Sequence, residues 1–305
     1  MKRKIMKIAD TTYVVSLPLK WARKYGVKKG DEMDVEEKNN ELIFRIKGEQ
    51  ALKKGSFEAF KYGPLIKRAF DAMYKSGYDE IEVSYQTQQE IHEIESALQN
   101  EAMTFEVVRQ DKNSCIVKSI AEVNDKEFDA LLRRTFLILK VMSNDLLTAL
   151  QNLDFESIIL IKNLEKTNNK LTHFLRRSLN KVGYKLPDKT NFVYVIVEQL
   201  EKIADEFKYL CDFLGDEKNR SLKLSKSCLE LYIMMDKSFE IFSTLFFDFS
   251  EKKALEFAAI KKNIMDSGLE MLPTLPTKES IVVHYIINIE RMIFDVLGPV
   301  FGVLL

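Results

Sequence analysis

At 305 residues, with 46% hydrophobic and 30% charged side chains, the chain has the apolar content for two or more globular domains and is unlike a disordered segment. Its 46 basic and 46 acidic side chains cancel overall but not locally. Residues 1–47 carry twelve Lys/Arg against seven Asp/Glu and the remainder carries 34 against 39, the asymmetry of a polyanion-binding module on a neutral-to-acidic body. Cys115, Cys211 and Cys228 are widely spaced and form no CxxC, which points to a reduced, cytoplasmic compartment. No long apolar stretch follows Met1-Lys2-Arg3-Lys4, so no signal peptide is expected.

Residues 1–47 read as a β-rich module. A strand near Arg3–Ile8 precedes a second at Tyr13–Ser16, and Pro18 suits the first turn of a short helix that Gly26 ends. Gly30-Asp31 turns into an alternating strand from Met33, and Asn39-Asn40 is a hairpin-type turn before Leu42, Phe44 and Ile46. Fewer than 50 residues bury such faces poorly, and no disulfide or metal ligand set is present, which leaves oligomerisation as the staple. Trp21 is expected to pack in that small core.

Gly48 to Gly63 reads as a connector. A small α/β segment follows: a helix over Leu65–Ser76 stopped by Gly77, a strand over Glu80–Tyr85, a helix over Gln86–Asn100, and a hairpin of Thr104–Arg109 with Ser114–Ile120. From about Asp125 the pattern is helical to the end. Phe128, Leu131, Leu132, Leu139, Met142, Leu146 and Leu150 form one stripe; Val193, Ile196, Val197, Leu200, Ile203, Phe207, Leu210 and Leu214 form another. Asp154, Pro187, Gly215-Asp216, Ser250 and Pro273–Pro276 punctuate six helices. The apolar run from Ile281 to Leu305 contains His284, Asn288, Glu290, Arg291 and Asp295, so it is expected as a central bundle helix with some dimer contact from Val300–Leu305, not as a membrane span.

The expected fold is multidomain α+β, in four parts: residues 1–48, residues 49–121 (linker and small α/β domain), and two three-helix repeats over 122–216 and 217–305. A faint internal repeat supports the last two: Pro187-Asp188-Lys189 precedes Leu200-Glu201-Lys202 by the interval at which Pro276-Thr277-Lys278 precedes Ile289-Glu290-Arg291.

The string from Val14 through Ser16-Leu17-Pro18 and Gly26-Val27-Lys28-Lys29-Gly30-Asp31 to Val35 resembles the AbrB/SpoVT/MazE family of swapped-hairpin DNA-binding domains. The resemblance implies an intertwined homodimer through residues 1–47, closed into a β-barrel. Residues 125–305, with Leu200-Glu201-Lys202-Ile203-Ala204-Asp205 and Ile289-Glu290-Arg291, resemble the phosphate-uptake regulator PhoU. The α/β segment, with Lys67-Arg68 and Gly77-Tyr78-Asp79-Glu80-Ile81, resembles the insert of archaeal AbrB–PhoU fusions.

Candidate DNA contacts are Lys2, Arg3, Lys4 and Lys7 at the first strand and Lys20, Arg23 and Lys24 on the short helix, doubled by a two-fold axis. Arg3 and Arg23 are the candidate base readers, because a planar guanidinium can bind guanine in two places. Glu165, Asn169 and His173 lie at i, i+4, i+8 and can meet Glu201 and Asp205, themselves four apart. Glu165, Asn169, Glu201 and Asp205 are thus candidate ligands for a divalent metal or iron; the same spacings also arise as salt bridges with Lys166, Lys202 and Lys208. In the PhoU-like pattern two acids stand where this chain has Glu165 with Asn169. His92, His173 and His284 are scattered and no GxSxG, P-loop or GxGxxG is present, so no enzyme is expected. The expected function is a cytoplasmic DNA-binding transcriptional regulator linked to phosphate homeostasis. The alternative is a protein adaptor to a phosphate transporter or signalling protein, with the basic module as a dimerisation clamp.

Overall fold

The computed structural model describes residues 2–8, 11–38, 40–46, 52–121 and 127–305. The turn at Asn39 and the domain boundaries expected near 48 and 122 lie outside them. The protein is mixed α+β and divides into two compact units, residues 1–52 and 53–305.

In the first unit, β1 (Ile5–Ile8) pairs antiparallel with β2 (Thr12–Val15), and β3 (Met33–Lys38) with β4 (Glu41–Ile46). Between the hairpins lies helix α1 (Leu19–Lys24), entered from Pro18 and stopped at Gly26, whose φ of +67° only glycine adopts at little cost. Asp31 accepts a hydrogen bond from the Lys28 backbone N–H at 2.7 Å, the carboxylate-closed turn that Gly30-Asp31 implies. Among the described residues of the single chain, the two hairpins form separate two-stranded sheets. No described side chain in residues 1–52 is buried, and Trp21 is half-buried.

The second unit begins with a four-stranded sheet in the order β5 (Lys54–Glu58), β6 (Glu80–Ser84), β8 (Ser114–Ser119), β7 (Phe105–Gln110). Strand β5 is parallel to β6 and the other pairings are antiparallel. Helices α2 (Ile66–Lys75) and α3 (Gln88–Asn100) pack on the sheet around Phe57, Phe70, Tyr74, Ile81, Val83, Ile94 and Val117. Strand β5 corrects the reading of 48–63 as a connector. Lys54-Gly55-Ser56-Phe57-Glu58 carries a single large apolar side chain, too little for a period-two signal. Gly55 is there because the Tyr78 ring crosses it: a Cβ would stand 2.4 Å from Tyr78 Cε1.

Six long helices follow in two successive sets of three: α4 (Phe128–Asn152), α5 (Phe155–Val182), α6 (Thr190–Gly215), then α7 (Lys226–Phe247), α8 (Glu251–Met271) and α9 (Thr277–Asp295), with a short terminal α10 (Leu297–Leu304). Side chains of Asp154, Ser225 and Ser250 accept hydrogen bonds from backbone N–H groups at the starts of α5, α7 and α8. Every residue of the predicted α6 stripe is buried, as are the predicted α4 positions except the half-buried Leu131. Each such side chain contributes roughly 1.5–3 kcal/mol over its exposed state, and this burial is the main term that orders the helices.

One contiguous core runs through both sets. The Phe136 ring on α4 stacks on Phe246 at 4.9 Å between centroids, joining the first set to the second. Val282, Val283, Ile286, Ile287, Ile289 and Ile293 place α9 inside, whereas Leu304 and Leu305 are exposed. No helix among the described residues is long and apolar enough to cross a membrane.

Candidate functional site

The seven basic side chains named as DNA contacts, Lys2, Arg3, Lys4, Lys7, Lys20, Arg23 and Lys24, are all exposed. They stand beside an apolar surface that is equally exposed: Ile5, Tyr13, Leu19 and Leu42 each retain 61–69% of their accessible area. Tyr13 lies 5.9 Å below the Lys7 ammonium and Tyr25 5.0 Å below that of Lys24, so ring faces and cations are interleaved.

The second chemically distinctive region lies inside residues 53–305, on α5. Nine successive residues, Leu171 to Leu179, are buried. A helix against one partner buries only a stripe; here the bundle covers one side and the α/β layer another. The α/β-facing side is polar. Arg177, with no accessible area, donates to the Tyr74 and Tyr78 carbonyls and to Asp79 Oδ1, and its guanidinium lies 4.8 Å from the Phe105 ring. Lys181 also pairs with Asp79. Burial opposes the Asp79 charge, but Lys181, the Lys53 backbone N–H and Arg177 outweigh it and hold the carboxyl below its ordinary range.

One turn earlier, His173 sits between two carboxylates. Its Nε2 is 3.1 Å from Glu201 Oε1 on α6, and its Nδ1 is 2.9 Å from Asp71 Oδ1 on α2. The first contact is a hydrogen bond. The second lacks hydrogen-bond alignment, and both Asp71 Oδ1 and His173 Nδ1 are buried without a hydrogen-bond partner. Asp71 Oδ2 is held by Lys75, and Glu201 also pairs with Arg176. Glu101, at the C-terminal end of α3, completes the group: ligand atoms of Asp71, Glu101 and His173 all lie within 4.8 Å of one another. Burial, and then the charge of Asp71, push the Glu101 carboxyl above its ordinary value.

The four residues read as metal ligands are divided between other partners. Glu165 and Asp205 both bind the Lys208 ammonium, at 2.9 Å for Glu165, and Asn169 donates to Glu165 at 2.7 Å. Burial works against the Lys208 charge, but Asp205 and Glu165 raise its affinity for the proton. Glu201 belongs to the His173 group. Asp71, Asp79, Glu101 and Arg177 were not read as site residues from sequence, although a signal existed: Asp71 lies between Phe70 and Tyr74 on the apolar face of α2, and Arg177 between Phe174 and Leu179. A charge on a buried stripe needs a partner from another element.

Comparison with protein-family models, with curated proteins and with solved structures gave no match to this chain.

Proposed function

We propose that the chain is a cytoplasmic DNA-binding transcriptional regulator that acts as a homodimer through residues 1–47. The observation that carries this reading is the state of the first unit. Seven exposed cations stand on a module that buries none of its described apolar side chains. Two-stranded hairpins are marginal in water on their own, and a second copy would cover the open faces of Ile5, Tyr13, Val35 and Phe44. In the swapped-hairpin arrangement that the resemblance implies, pairing also doubles the cations on one face. By the resemblance to PhoU, the helical body would receive the signal from a phosphate transporter or signalling protein and link the regulator to phosphate homeostasis.

Gel-shift titrations at several salt concentrations test the assignment. Lys20→Ala with Arg23→Ala removes four cations per dimer, so the slope of log affinity against log salt should fall by about 3–4. An unchanged slope overturns the assigned surface. A dimer that binds no DNA but enriches a transport protein in pull-downs makes the module a dimerisation clamp on an adaptor.

A further inference from the structure

We propose that Asp71, Glu101 and His173 form a binding site for one divalent first-row transition-metal ion, which ties helix α2 and the end of α3 to helix α5. The inference is independent of the DNA reading and uses none of the four residues divided between Lys208 and Arg176 except Glu201, in a supporting role.

The first argument is the contact between His173 Nδ1 and Asp71 Oδ1. At 2.9 Å the two atoms are in hydrogen-bond range, yet the geometry is not that of a hydrogen bond and neither atom has another partner. His173 is 3% exposed and Asp71 7%. Buried polar atoms left unpaired are destabilising. A shared cation removes that cost. Two ligand atoms about 2.0–2.2 Å from an ion and at right angles to one another lie about 3 Å apart, which is the spacing seen.

The second argument is the tautomer. Nε2 of His173 faces the Glu201 carboxylate at 3.1 Å, and a carboxylate only accepts, so Nε2 carries the proton. Nδ1, the other ring nitrogen, faces Asp71 Oδ1 at 2.9 Å, a contact that a second ring proton or a cation shared by the two atoms would fill. A histidine whose far nitrogen donates to a carboxylate is oriented as metal-bound histidines are. Glu201 is itself anchored by Arg176, and Asp71 Oδ2 by Lys75, which leaves Oδ1 free for the ion.

The third argument is Glu101. Among the described residues its carboxylate makes no hydrogen bond or ion pair, and its ligand atom already lies within 4.8 Å of those of Asp71 and His173. With Asp71 and Glu101 ionised, a divalent ion leaves the three ligands and metal neutral together. One imidazole and two carboxylates suit Mn2+, Fe2+ or Zn2+ better than Ca2+, which takes oxygen ligands.

The test uses the untagged full-length chain, stripped with chelator and titrated calorimetrically with Zn2+ and, separately, Mn2+. One ion per chain should bind saturably and raise Tm, and equimolar Ca2+ should not compete. Glu101→Gln should fold as the parent does, since that side chain makes no hydrogen bond, and should lose at least about ten-fold in affinity; Glu201→Gln should lose about 10–100-fold. Glu165→Gln should bind as the parent does. Absence of saturable uptake, or parental affinity in both Glu101→Gln and Asp71→Asn, overturns the assignment. If Asp71→Asn does not fold, Glu101→Gln alone decides.

Discussion

The guanidinium of Arg177 and the carboxylate of Asp79 meet at 2.9 Å in an environment from which Arg177 is wholly excluded from solvent. Asp79 stands just before β6 and Arg177 near the end of α5, ninety-eight positions apart. The pair, with the Tyr74 and Tyr78 carbonyls, fastens the α/β layer to the helical body. Removing Arg177 takes the buried donor from the Tyr74 and Tyr78 carbonyls and leaves Lys181 as the remaining cation on Asp79, a loss of about 3–5 kcal/mol for Arg177→Ala in urea unfolding. Replacing both by apolar side chains should cost much less than the two single changes summed. Additivity would mean that the two groups act separately.

Glu290 on α9 gives a pH dependence with a definite sign. It has no accessible area; Ser238 donates to Oε1 at 2.8 Å, and Oε2 is unpartnered. Burial raises its carboxyl to about 7. A carboxyl raised in the folded state contributes its full stability at low pH, below the unfolded value, and that contribution fades as pH rises through about 7. Glu290→Gln removes the ionisation cost. Its stability relative to the parent should therefore improve between pH 5 and pH 8, by an amount on the order of 2–3 kcal/mol. Equal pH profiles for parent and variant in thermal melts would contradict a buried, raised carboxyl.

Val35 and Phe44 are direct cross-strand partners, and both are open to solvent in the single chain. If a second copy covers them, Val35→Thr with Phe44→Thr keeps β-compatible residues while removing the apolar contact. Sedimentation equilibrium should then show a monomer in place of a dimer, while melting of the helical unit is retained. A dimer of parental strength would place the interface elsewhere.

Gly55 is set by space, not by its backbone angle. A methyl group there meets the Tyr78 ring, which the Lys53 ammonium covers at 4.2 Å. Gly55→Ala should cost about 1–3 kcal/mol, the usual penalty of forcing a packed contact apart. Pairing it with Tyr78→Ser should recover part of that loss, and denaturation midpoints of the three variants measure the coupling.

Buried periodicity was the most legible part of the chain. Val193 to Leu214 repeats at three and four residues, and all eight stripe positions of α6 are inside. Capping was legible for the same local reason: Asp154 and Ser250 act on backbone N–H groups three residues on. Strand β5 was not, because an edge strand with one large apolar side chain has no period to read. The divided environments of Glu165, Asn169, Glu201 and Asp205 were not legible either. Their spacing places each on a helix face, but whether an ammonium or a second carboxylate stands opposite depends on how α5 and α6 pack.

By itself the sequence determined where the long helices and the strands other than β5 form, which faces are apolar, and that the basic excess is confined to residues 1–47. These follow from local propensity and from a hydrophobic pattern with the period of its own element. The tertiary structure alone decided that the polar face of α5 would be buried, because only docking of the α/β layer brings Asp71, Asp79 and Glu101 against His173 and Arg177 from segments about 70–100 positions away. Charge pairing at that separation carries no periodic trace in the chain. It comes from desolvation, which penalises every buried charge that the fold does not match with another.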